Sequence, residues 1–167
     1  MFFKKRKNKI SMEAFGERIL SKFILTSGDR FFELAEDLNK NDFFDYLLYI
    51  QYLLYISQKI LELKYTQNDV KRIINASING IVDLFDTIDS SMKLEFKKHF
   101  KEGYIELFDD INLDIFKEEL MHELVTYFEN DLNLEPNALN HQLIFVDFTL
   151  FIKYHASDIL NDDIILV

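Results

Sequence analysis

Apolar positions recur at steps of three and four through almost the whole chain, and the elements they predict are helices. From Ser11, the residues Met12, Phe15, Ile19, Leu20, Phe23 and Ile24 fall on one face of a first helix, with Gly28 as its expected terminator. A short second helix, roughly 29–39, is predicted from Asp29 as cap through Phe31, Phe32, Leu34, Ala35 and Leu38, and the polar NKND at 39–42 ends it.

The third segment, about 42–64, breaks the amphipathic pattern. In DYLLYIQYLLYI, residues 45–56, the tyrosines Tyr46, Tyr49, Tyr52 and Tyr55 stand three apart, so each lies about 60° behind the last at about 100° per residue. They sweep half the circumference, and Leu47, Leu48, Ile50, Leu53, Leu54 and Ile56 cover the rest. A helix with no wide polar face belongs at the centre of a bundle, with tyrosine hydroxyls reaching partners at its edges.

Thr66, with Asp69 three residues on, opens a fourth helix through Val70, Ile73, Ile74, Ser77, Ile78, Ile81, Val82, Phe85 and Ile88. Ser90 or Ser91 caps a fifth, through Phe96, Phe100, Tyr104, Phe108 and Ile111, which Gly103 could divide. Asn112 or Asp114 is the expected cap of a sixth that buries Ile115, Phe116, Leu120, Leu124, Val125 and Phe128. The loop LNLEPN at 132–137 precedes a last helix, about 136–157, with Pro136 in its first turn. LIFVDFTLFI at 143–152 satisfies a strand template as well, and helix is the reading taken. The expected fold is all-α: one compact bundle of about six to seven helices around the segment near 42–64.

Composition adds limits. At 167 residues with 49% hydrophobic content, the chain suits one domain with a real core, and its single proline and four glycines leave few of the breaks that many short strands require. Zero cysteine excludes disulfides and thiolate metal sites and fits a reducing compartment. A basic start, MFFKKRKNK, is followed by a stretch interrupted by Glu13, Glu17, Arg18 and Lys22, so no export signal is expected and the expected location is the cytoplasm. The longest apolar run, 43–56, is too short for a bilayer span of about 20 residues. The organisation expected is a basic flexible tail at 1–10 and a helical domain at 11–167; two phenylalanines and five positive charges also give that tail a weak affinity for anionic lipid.

Net charge is −10, and without Lys4, Lys5, Arg6, Lys7 and Lys9 the body holds 14 basic against 29 acidic residues. Such a body repels phosphates, so nucleic-acid binding is not expected. The densest acidity lies in 102–135, eleven acidic residues against Lys117 alone, with Glu106, Asp110, Asp114 and Glu118 four apart as if on one helix. Asp109, Asp110, Asp114, Glu118, Glu119 and Glu123 form the candidate surface for a basic protein partner, against the plainer reading of a solvated face. The reading taken is a non-catalytic acidic interaction protein, with an intracellular, immunity-like inhibitor of a basic partner as its sharper form; that likeness is one of composition alone.

Two alternatives stand beside it. One is a sensor domain with an aromatic pocket lined by residues such as Tyr46, Tyr52 and Tyr104. The other is a carboxylate–histidine metal enzyme at Glu119 and His122, a Glu-x-x-His pair of the kind that di-iron bundles use twice. The motif occurs once: Glu95 and His99 stand four apart, Ile152 lies three before His155, and Thr126 stands where a zincin-like string needs a second histidine. No nucleophile elbow or glycine-rich phosphate loop is present, so no catalytic residue, metal or cofactor is assigned.

Overall fold

A computed structural model describes residues 8–40, 42–161 and 164–167. The fold is an all-α bundle. Strand β1 is Asn8–Ile10. Helix α1 runs without interruption through Met12–Ala14, Phe15–Leu20 in π geometry and Ser21–Gly28; then come α2 (Arg30–Leu38), α3 (Phe43–Leu61), α4 (Gln67–Asp83), α5 (Lys93–Phe108), α6 (Glu118–Asp131), α7 (Ala138–Ile159) and β2 (Ile164–Leu166).

Helix α3 is the interior rod that its pattern predicts. Tyr49, Ile50, Tyr52, Leu53, Leu54, Tyr55 and Ile56 are buried to 1% exposure or less, and α1, α4, α6 and α7 pack around them. Full burial of each Leu or Ile contributes about 1.5–3 kcal/mol, a gain open to the rings only if their hydroxyls stay bonded. They do. Tyr49 donates to Asp147 on α7, Tyr52 donates to Asp131 on α6 at 2.6 Å, and Tyr55 donates to the Ile111 carbonyl at 3.3 Å. Asp42 starts the helix by accepting the Phe44 amide at 3.0 Å.

Several boundaries differ from expectation, each for a local reason. Gly28 does not terminate α1 in a left-handed turn; it lies where a Cβ would collide with Ile50 Cδ1 and approach the Tyr46 hydroxyl to 3.1 Å, so it is there for close approach of α1 to α3. Asp29 makes no side-chain cap; Asn39, at φ 53°, supplies the left-handed C-cap of α2 instead. Gly103 leaves α5 whole. Thr66 caps α4 as expected, accepting the Asp69 amide at 3.3 Å. The last segment is helix throughout 143–152, and Asn137, directly after Pro136, caps it by accepting the amides of Leu139 and Asn140. The sixth helix begins at Glu118, after both residues expected to cap it.

Parallel pairing of β1 with β2, Asn8 opposite Ile164 and Ile10 opposite Leu166, was not expected from the sequence. It draws residues 8–10 out of the flexible tail assigned to 1–10 and brings the apolar end back to the bundle, where Leu166 packs against the core. Lys4, Lys5, Arg6 and Lys7, and with them the lipid contact expected of that tail, lie outside the described residues. Among the described residues no helix is long and apolar enough to cross a membrane.

Candidate functional site

The second helix is short; it ends at the left-handed Asn39, and α3 begins at Phe43 after its cap Asp42. That geometry sets two phenylalanine pairs, Phe31–Phe32 and Phe43–Phe44, on either side of one turn. The first pair divides as a helix on a core requires, Phe31 buried at 1% and Phe32 60% exposed, whereas in the second both rings stay open, Phe43 at 41% and Phe44 at 74%. The segment after α4 completes the enclosure with Leu84 and Phe85.

The result is a cleft of about 850 Å3 between the end of α1, α2, the start of α3 and residues 84–87. Phe32 stacks on Tyr46 with centroids 5.4 Å apart and planes 15° apart. Phe43 lies 6.4 Å from Tyr46 and meets Phe85 edge-on at 6.0 Å and 72°. Burial, with the Asp29 carboxylate as a second cause, pushes the Tyr46 hydroxyl up to about 12, so it stays protonated as a donor. Around this aromatic wall stand the exposed carboxylates Asp29, Glu36, Asp42 and Asp86, with Lys40 as the one cation of the lining among the described residues. Arg30 does not offset them; it is turned to α7, where its guanidinium pairs with Asp147 at 2.9 Å.

Of the tyrosines expected to line a pocket, only Tyr46 does so. Tyr52 and Tyr104 are core residues, bonded to Asp131 and to Gln58 at 2.6 Å. The cleft was missed as a site because its walls combine three helical elements within 25–46 with the distant residues 84–87. The available signal was the doubled phenylalanine on each side of NKND, since two adjacent helical residues cannot both face the same core and at least one ring of each pair had to face outward.

The acidic stretch does not form the continuous helix that the four-residue spacing suggests. Asp109 and Asp110 follow the end of α5, Asp114 lies in the connecting loop, and Glu118, Glu119 and Glu123 are on α6. All six are exposed. The loop is held to α3: the Tyr55 hydroxyl accepts the Leu113 amide at 3.1 Å, and the buried Lys59 donates to Asn112 Oδ1 at 2.9 Å. These bonds satisfy backbone and side-chain groups that a continuous helix would have to withdraw. Asp114 pairs with Lys117 at 3.5 Å, and Glu118 and Glu119 occupy the first turn of α6, where the helix dipole favours carboxylates by about 0.3–1 kcal/mol each.

His122 turns to a different set of partners from the one its motif suggests. Its Nδ1 is 2.9 Å from Nε2 of His141, whose Nδ1 is 2.8 Å from Glu129 Oε2, and Phe145 stacks on its ring at 4.1 Å. Glu118, not Glu119, lies nearest its Nε2, at 3.9 Å. The order Glu129, His141, His122 is a chain in which each nitrogen already faces a partner, so it links α6 to α7 and does not converge on a central point. Among the described residues no group of three or more His, Asp or Glu side chains is placed to hold a metal ion. No family model matches the chain, and no curated protein or solved structure matches it either.

Proposed function

We propose that the chain is a non-catalytic binding protein whose aromatic cleft takes a cationic group, an alkylammonium or a guanidinium. The observation that supports this is the coincidence of the exposed rings of Phe32 and Phe43, with the half-buried Tyr46 between them, with four rim carboxylates. An anion would be repelled by that rim. A neutral apolar ligand would strip water from carboxylates and return no partner to them. A cation meets both requirements: each ring face attracts it by about 0.5–1 kcal/mol when exposed and by about 2 kcal/mol when water is excluded. Guanidinium also matches the carboxylates bidentately.

The test uses n-butylguanidinium and tetramethylammonium, followed by chemical-shift changes in the protein. Saturable shifts centred on Phe43, Tyr46 and Phe85, weakened several-fold by Phe32→Ala and by Asp86→Asn, are expected. Absence of saturation at millimolar concentrations, or binding indifferent to both substitutions, would overturn the reading.

The exposure of Asp109, Asp110, Asp114, Glu118, Glu119 and Glu123 supports a second reading, in which this surface docks a basic protein and covers it as an inhibitor does. Association with a partner co-purified from native cells would then slow with added salt and with charge reversal at Glu118 and Glu119. Salt-independent association, or a partner seated on another face, would exclude it.

A further inference from the structure

A second hollow, of about 470 Å3, opens beside the cleft, and Thr87 lines both. Its walls are Ile88, Met92 and Phe96, with Asp89, Glu95 and His99 at the edge. The two are joined physically: Phe85, in the wall of the first, meets Phe96, in the wall of the second, edge-on at 6.2 Å and 82°. Met92 is 60% exposed. Counted together, the two hollows present the carboxylates Asp29, Glu36, Asp42, Asp86, Asp89 and Glu95 against Lys40 and His99. Asp89 is held ionised there, its carboxyl lowered chiefly by the Ser91 amide that bonds it at 3.0 Å.

One small cation cannot use such a surface. The first hollow asks for positive charge over rings, and the second offers an apolar seat within a negative border. Two seats of different character along one groove suit a chain that carries different side chains in series.

Resting on the reading of the cleft as a cation site, we infer that its ligand is an extended basic peptide segment of a partner protein. A cationic side chain occupies the aromatic cleft, and a neighbouring aliphatic side chain fills the hollow against Met92 and Phe96. The carboxylate border selects positive charge along the whole segment, and the two seats fix its register.

The experiment uses capped peptides with one arginine and one leucine separated by one to four glycines. Each is compared with the same peptide bearing alanine for leucine and with n-butylguanidinium alone. At least one spacing is expected to bind tenfold or more tightly than either control and to shift Thr87, Met92 and Phe96 amides together with those of Phe43 and Tyr46. Met92→Gln, which makes the seat polar without changing its charge, is expected to remove that advantage and to leave n-butylguanidinium binding unchanged, which also establishes that the variant is folded. If n-butylguanidinium binds and no peptide exceeds it, the peptide inference is wrong and the cleft reading stands. If neither binds, both are wrong.

Discussion

The hydroxyl of Tyr55 accepts the Leu113 amide at 3.1 Å, from a side chain buried to 0% exposure. Tyr55→Phe therefore leaves a buried N–H without its acceptor, at a cost of about 1–3 kcal/mol. Urea denaturation is expected to show that loss, and limited proteolysis to cut first within 109–117. Tyr127→Phe, which removes only an exposed bond to Glu123, is the control and is expected to be nearly neutral. Equal effects of the two would deny the loop's dependence on α3.

Gly28→Ala replaces a poor helix former by the best one, a gain of up to about 1 kcal/mol on propensity alone. The methyl group would, however, strike Cδ1 of the fully buried Ile50 and crowd the Tyr46 ring at 3.3 Å. Overpacking of this kind costs about 1–3 kcal/mol, so the expected result is net destabilisation. Ile50→Val removes the struck atom. The double variant is accordingly expected to be more stable than the sum of the two single changes, by a coupling measurable in a double-mutant cycle.

His155 sits with its Nε2 3.0 Å from Ser27 Oγ, and its buried Nδ1 has no hydrogen-bond partner among the described residues. Desolvation lowers its pKa; Asp158 opposes the shift, and Arg30 adds to it. Below the ordinary histidine value the unfolded chain takes up a proton that the folded chain resists. The contribution of this residue is thus complete above that value and is lost as pH falls through it toward the lowered one. Denaturation midpoints across that window are expected to fall with pH in the parent and to fall less in His155→Phe. Parallel curves would refute the assignment.

In the row of Glu129, His141 and His122, the middle ring serves both neighbours. His141→Ala deprives a half-buried carboxylate and an imidazole at once, and a loss of about 1–2 kcal/mol follows. For a chain of this length that is a fall in Tm of about 2–4 °C per kcal/mol. Glu118→Gln, at an exposed site 3.9 Å from His122, is expected to cost less than His141→Ala, about the 0.3–1 kcal/mol that the α6 dipole gives its carboxylate.

What could be read in advance follows from where the controlling interactions lie. Helix α3 was readable because its signal is local: Tyr and Leu on every side leave no orientation that tolerates water. Thr66 was readable because the cap and the amide it bonds, that of Asp69, are three residues apart. A break near 112–114 was readable from Asn112 and Asp114 as caps, but not the length of the loop, 109–117, since Tyr55 and Lys59, more than fifty residues away, hold it. The pairing of Asn8–Ile10 with Ile164–Leu166 joins opposite ends through three residues each, too few for a periodicity to register. The exposure of the six acidic positions follows from their charge alone, and NKND announced the end of α2 at Asn39, whereas the aromatic cleft also needs residues 84–87, which nothing near that turn points to.

The tyrosines of α3 behave as the teeth of a key. Tyr49, Tyr52 and Tyr55 engage three unlike acceptors in three directions, a carboxylate on α7, a carboxylate on α6 and a backbone carbonyl in the loop before α6. Rotating the shaft, or sliding it by one turn, would present each tooth to the wrong ward. The central helix consequently has a single setting, and Tyr46, the fourth tooth on the same shaft, is held steady at the mouth of the cleft before anything arrives there.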